Sequence, residues 1–155
     1  MKSVLMALFC CGAYYTQAQA YFSQAYVEHW VAEHSHKTIA GDAKACDDFA
    51  DNVQAALEAE EGQVWNIKGG KAEICRYLRQ YNTVLAQAHS QTLIKDLNIE
   101  SSGFPWLDAK VSYKEHTRVR GENTATLAFV SKNELQLSRT LSGLKIIAMV
   151  AKTAS

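Results

Sequence analysis

The sequence predicts an α+β domain in which helices come first and antiparallel strands come last. Two observations predict it. Apolar residues recur every three to four positions through the first half of the chain, and after Pro105, the only proline, the pattern changes to β-rich runs separated by glycine-containing turns.

Residues 1–20 are set aside first. Lys2 precedes an apolar run over residues 4–13, and Ala18-Gln19-Ala20 supplies small residues at the spacing a signal peptidase reads. The run is well short of the roughly 20 residues a spanning helix needs. Cys10 and Cys11 suggest a lipoprotein, but Leu8 and Phe9 are too bulky for the positions before a lipidated cysteine. The expectation is cleavage after Ala20, with the chain periplasmic or secreted and carrying no membrane attachment afterwards.

The remaining 135 residues suffice for one domain with its own core. In residues 21–36, Val27, Trp30, Val31 and His34 mark one helical face. Residues 42–50 place Ala45, Cys46 and Phe49 on one side of a second, short helix. Residues 71–89 repeat apolar positions, including Ile74, Cys75, Leu78 and Tyr81, and make the third and longest helix. Residues 92–100 read equally as strand or as continuation of that helix.

Strands are expected over residues 110–120 and 124–132, joined at Gly121-Glu122-Asn123. A second pair is expected over 134–141 and 144–153 around Ser142-Gly143. Its arms are apolar on both faces, which predicts cover on both sides.

Without Lys2 the chain has 15 basic and 16 acidic side chains, so no strong net field favours nucleic acid or an anionic membrane. Two cysteines remain, Cys46 and Cys75, and in an oxidising compartment a disulfide is the expectation. Neither cysteine has a second Cys or His at ligand spacing, and His34-Ser35-His36 lacks a third ligand, so no metal is expected. Nor does Gly69-Gly70-Lys71 make a phosphate-binding loop. Ala72 stands where such a loop needs Ser or Thr, and the first glycine of the motif is missing. The two glycines are expected to ease a sharp turn from strand into helix.

Three stretches, Gly41-Asp42-Ala43-Lys44-Ala45, Phe49-Ala50-Asp51-Asn52-Val53 and Gly69-Gly70-Lys71-Ala72-Glu73-Ile74, occur in an order that resembles nuclear transport factor 2-like proteins of the SnoaL-like branch. The resemblance runs from Tyr26 to the last strand. It implies a cone: a curved antiparallel sheet packed against three N-terminal helices, a pocket at the wide end, and pairing of two copies through the sheet. It also implies a pocket for a small apolar molecule, with Tyr26 and Trp30 as walls and Trp65 and Tyr113 as further lining.

Catalysis in such a pocket uses polar groups whose acidity is shifted by burial. His34 falls near the position of the proton-donating tyrosine of ketosteroid isomerases in this superfamily, while the alternative places His34 and His36 at a solvated helix end. Alternation on strand 110–120 puts Val111, Tyr113, Glu115, Thr117 and Val119 on one face, making Glu115 the candidate buried carboxylate. Its alternative is a surface ion pair.

The isomerase likeness then breaks. The base position lands on Leu57, with Glu58 facing the other way, and the second oxyanion donor falls near Gln136 or Leu137. The Asp-Arg-Asp set of limonene-epoxide hydrolases is not visible either. Two expectations follow: an exported binding module without a cofactor, or a cofactor-free isomerase, cyclase or dehydratase using His34 or Glu115 as general acid or base.

Overall fold

The computed structural model describes residues 22–59, 66–85, 89–102, 107–121 and 126–154. Helix α1 spans Gln24–Ala40. Ser23 caps its start by accepting from the Tyr26 amide. Its end is a left-handed Gly41 at φ 75°, where the amides of Gly41 and Asp42 turn back to the carbonyls of Thr38 and Lys37. The buried positions are Val27, Val31, His34 and Ser35. His34 therefore lies well inside the helix and in the core, not at a frayed end.

The second expected helix is a 3-10 turn, Ala43–Asp48, capped by the Asp42 side chain on the Lys44 amide. Phe49 already has extended backbone and opens strand β1, Phe49–Ala59. After β2, Asn66–Gly69, helix α2 covers Lys71–Leu85. The Gly70 amide donates to the Glu73 side chain at 3.0 Å, which is half of a capping box. Gly69 is required by space, since a Cβ there would lie 2.7 Å from that of Glu73. Lys71 pairs with Asp51 at 2.8 Å and takes no part in a phosphate cradle.

The ambiguous stretch is strand β3, His89–Ser101, so His89 belongs to the sheet and not to α2, whose 15 described residues are fewer than the 17 of α1, against the expectation that it is the longest helix. Next come β4, Asp108–Arg120, β5, Leu127–Thr140, and β6, Gly143–Ala154. Two expected strands have merged into β5. Asn133 is the one turn former in Lys132-Asn133-Glu134, and it is buried as part of the inward alternation Ser131, Asn133, Leu135, Leu137, which passes through unbroken. One face of β5 is open to solvent, against the expectation of cover on both.

The six strands form one sheet in the order β2-β1-β6-β5-β4-β3. Every pair is antiparallel except β1 with β6, so the sheet is mixed. Register shifts interrupt β1, β3 and the β5–β6 pair, and at the β3 shift Asp96 adopts φ 53°. Such bulges bend strands and raise twist, which curves the sheet around the helices.

The core lies between the concave face and α1, α2 and the 3-10 turn. Val27, Val31, Val53, Val111, Leu135, Leu137 and Ile146 are fully buried there. Removing one such leucine side chain costs about 2–5 kcal/mol. Cys46 of the 3-10 turn is bonded to Cys75 of α2, with Cα atoms 5.6 Å apart. None of the described helices is long and apolar enough to cross a membrane.

Replacing both cysteines by serine is expected to lower stability by about 3–4 kcal/mol in urea unfolding. Without residues 1–20, the unreduced, unfolded chain should show no free thiol, and two thiols per chain would refute the bridge.

Candidate functional site

The concave face of β4 and β5 changes character along its length. At one end Ala109 pairs with Leu137 and Val111 with Leu135; at the other Tyr113 pairs with Asn133, Glu115 with Ser131 and Thr117 with Phe129. Tyr113, Thr117, Ser131 and Asn133 are buried at this polar end. Helix α1 lies above it. Consecutive residues on a helix point about 100° apart, so His34 and Ser35 reach different partners.

Ser35 Oγ donates to Glu115 Oε1 at 2.6 Å. Asn133 Nδ2 donates to Ser131 Oγ at 3.1 Å and, more weakly, to Glu115 Oε2 at 3.4 Å. Burial raises the Glu115 carboxyl above the ordinary range. The hydrogen bonds from Ser35 and Asn133 and the charge of His34 pull it back without cancelling that rise. Burial also pushes the neighbouring Tyr113 phenol up, assisted by the charge of Glu115.

His34 Nδ1 donates to Asp48 Oδ2 at 2.8 Å. Lys37 Nζ reaches both oxygens of the same carboxylate, at 2.6 and 2.8 Å. Burial acts to raise the Asp48 carboxyl, but the hydrogen bonds and charges of His34 and Lys37 outweigh it and hold the group below its ordinary value. The imidazole stacks on Trp30, with centroids 5.7 Å apart, and meets Phe49 edge-on at 5.4 Å. Its orientation is thus fixed by an acid on one side and aromatic rings on two others.

A cleft of about 150 Å³ opens between α1 and β3. Ala32, Ser35, His36 and Ile39 line it from the helix, and Ser90, Thr92 and Ile94 from the strand. Ser35 belongs to both the cleft wall and the Glu115 network.

Among the expected site residues, Trp30 is half-buried against His34 and Tyr113 is buried. Tyr26 is 40% exposed, and Trp65 lies outside the described residues. His34 is on the buried face of α1 and Glu115 on β4 beneath it, but no hydrogen bond joins them. Glu58 faces outward, paired with Lys152, as alternation predicted. Ser35, Asp48 and Asn133 were not foreseen. Ser35 had a signal, standing at i+4 from Val31 and i+8 from Val27 on the buried stripe; Asp48 had none. Among the described residues no three His, Cys, Asp or Glu side chains cluster as metal ligands.

No family model matches the chain, and no curated protein matches it. Solved structures do. An NTF2-like protein with a cystatin-like fold from Novosphingobium aromaticivorans is 14% identical, with TM-score 0.66 over 88% of this chain and 85% of that one. A protein from the same organism named after scytalone dehydratase is 9% identical, with TM-score 0.70 over 90% and 89%. The β subunit of benzoate 1,2-dioxygenase from Burkholderia mallei is 11% identical, with TM-score 0.69 over 85% and 91%. The chain has the cystatin-like, nuclear transport factor 2-like fold.

Two pH-dependent outcomes follow. Because the Glu115 carboxyl is raised in the folded state, protonation favours folding, and stability is lost as pH rises from the unfolded value of about 4.3 through the folded one. Glu115→Gln should therefore raise the melting temperature at pH 7.5 and show little gain at pH 4. Asp48 has the opposite sign: its contribution is present above about 3.9 and is lost as pH falls through the lower folded value. Asp48→Asn should cost on the order of 2 kcal/mol at neutral pH and flatten the acid limb of the stability profile.

Proposed function

We infer that this is an exported domain that binds a small, largely apolar molecule between α1 and the concave face of the sheet. The observation that carries this reading is the polar row Ser35, Glu115, Asn133 and Ser131 under α1, with Glu115 half-buried and the other three buried, beside a cleft whose other walls include Ala32, Ile39 and Ile94. Ligand pockets combine an apolar lining with a few polar groups that fix orientation. At about 150 Å³ the cleft suits a molecule below drug size. Both Glu115 oxygens already have internal partners, which favours binding over turnover. The leader-like residues 1–20 and the Cys46–Cys75 bridge support export.

A second reading, cofactor-free acid–base catalysis, has its own support in the Asp48–His34 pair. With Nδ1–H held by Asp48, the proton-accepting lone pair of the imidazole is on Nε2, but His34 is buried and does not line the cleft. Glu115, raised by burial, would return one as general acid. Isomerisation, cyclisation and dehydration all need only that exchange, and a structural neighbour named after scytalone dehydratase agrees with this class.

Native mass spectrometry of the chain purified from an exporting host should find a retained small molecule. Ile39→Trp, which fills the cleft, should abolish its retention. An empty wild-type chain, together with identical thermal shifts for wild type and variant across small amphiphiles, would remove the binding reading. Turnover lost in His34→Gln while ligand retention persists would establish the second.

A further inference from the structure

The convex face of the sheet carries a line of lysines set directly opposite one another. Lys95 pairs in register with Lys114, Lys114 with Lys132, and Lys132 with Lys152, across β3, β4, β5 and β6. At about 4.8 Å between strands the line is roughly 14 Å long. Like charges opposed across strands destabilise a sheet, so local stability does not account for it. Asp96 takes Lys114 at 2.6 Å and Glu58 takes Lys152 at 3.2 Å. Lys95 and Lys132 have no ion pair among the described residues.

Two rows further along β4, Arg118 and Arg120 point the same way, both exposed. Between the lysines and the arginines stands Leu93, 56% exposed and in register with His116. The near-zero formal charge of the whole chain is thus an average. The convex face also carries Glu58, Asp96, Glu100 and Glu134, which take Lys152, Lys114 and Lys110 or lie opposite them, and the cations Lys95, Lys132, Arg118 and Arg120 stand in excess of them; further acids, Glu28, Glu33, Asp42 and Asp47, are exposed on α1, beside it and on the 3-10 turn.

We propose that the convex face formed by Lys95, Lys132, Arg118 and Leu93 docks on an anionic lipid bilayer. Cations at this density attract a surface of closely spaced phosphates, and an exposed leucine among them can enter the headgroup boundary. No Phe, Tyr or Trp stands on this face among the described residues, so bases of a single-stranded nucleic acid would meet only the imidazoles of His89 and His116 as stacking partners. A second copy related by a two-fold axis on the line of lysines would bring like charges together. Docked this way, the concave side with α1 and its cleft faces away from the bilayer.

The test is co-sedimentation of the full chain with vesicles of phosphatidylcholine alone and of equal parts phosphatidylcholine and phosphatidylglycerol. Binding should require the anionic lipid and weaken with salt, because the screening length is only about 8 Å at physiological ionic strength. Lys132→Glu with Arg118→Glu should reduce affinity at least about tenfold. The milder Lys95→Gln with Lys132→Gln should weaken it while keeping or raising the melting temperature, since repulsion is relieved. Leu93→Ser should lower affinity without changing the salt dependence. Equal binding to neutral vesicles, or unchanged binding by both charge variants, would overturn the proposal. So would retention on DNA without vesicle binding, or a dimer that both charge variants dissociate without any vesicle binding.

Discussion

A half-buried carboxyl hydrogen-bonded beneath α1 is the constraint around which the rest of the domain is arranged. Glu115 is on β4 and its donor Ser35 is on α1, far apart in sequence, so the short bond between them can form only when the helix lies across the concave face. A buried ionisable group without partners is costly. The surrounding groups answer that cost in sequence: Asn133 from the next strand, Ser131 behind it, and the charge of His34 from the following side of the helix. The apolar end, Val111 with Leu135 and Leu137, gains stability from simple burial. The polar end holds its shape only if α1 stays in place.

A second set of contacts keeps α1 there. Asp48 closes the 3-10 turn and takes His34 and Lys37 from the helix, while Cys46 in the same turn is tied to α2. Lys145 of β6 adds a hydrogen bond to the Asp47 carbonyl. A six-residue turn thereby connects both helices and the sheet. Whatever role the imidazole performs, its direction is inherited from that turn and from the rings of Trp30 and Phe49.

Much of this could be read from the residues in advance. The alternation over β4 placed Tyr113, Glu115 and Thr117 on the inward face, and the period over α1 placed His34 with Val27 and Val31, because both patterns follow from local geometry. The errors lay where local pattern is weak. Nothing in Lys132-Asn133-Glu134 announces whether a strand stops or continues; that is settled by twelve successive pairings with β4. The second helix is legible over residues 42–50 but its type is not, because three apolar positions in nine residues fit an α-helix or a 3-10 turn equally. Gly69 was expected to serve backbone freedom, but it serves the close approach of Glu73, a contact that exists only after β2 and α2 have met. Asp48 was invisible because its partners come from another element.

The parallel contact between β1 and β6 has a temporal meaning as well as a spatial one. Among the described residues it is the one strand pairing that joins the β1–β2 edge to the strands β3 to β6, and it is made by the earliest and the latest described strand. Until β6 has left the ribosome the two halves have no template on which to meet, and loop closure over such a distance is slow. The continuity of the sheet therefore rests on the strand pairing of greatest sequence separation, the one that carries the largest loop-closure cost.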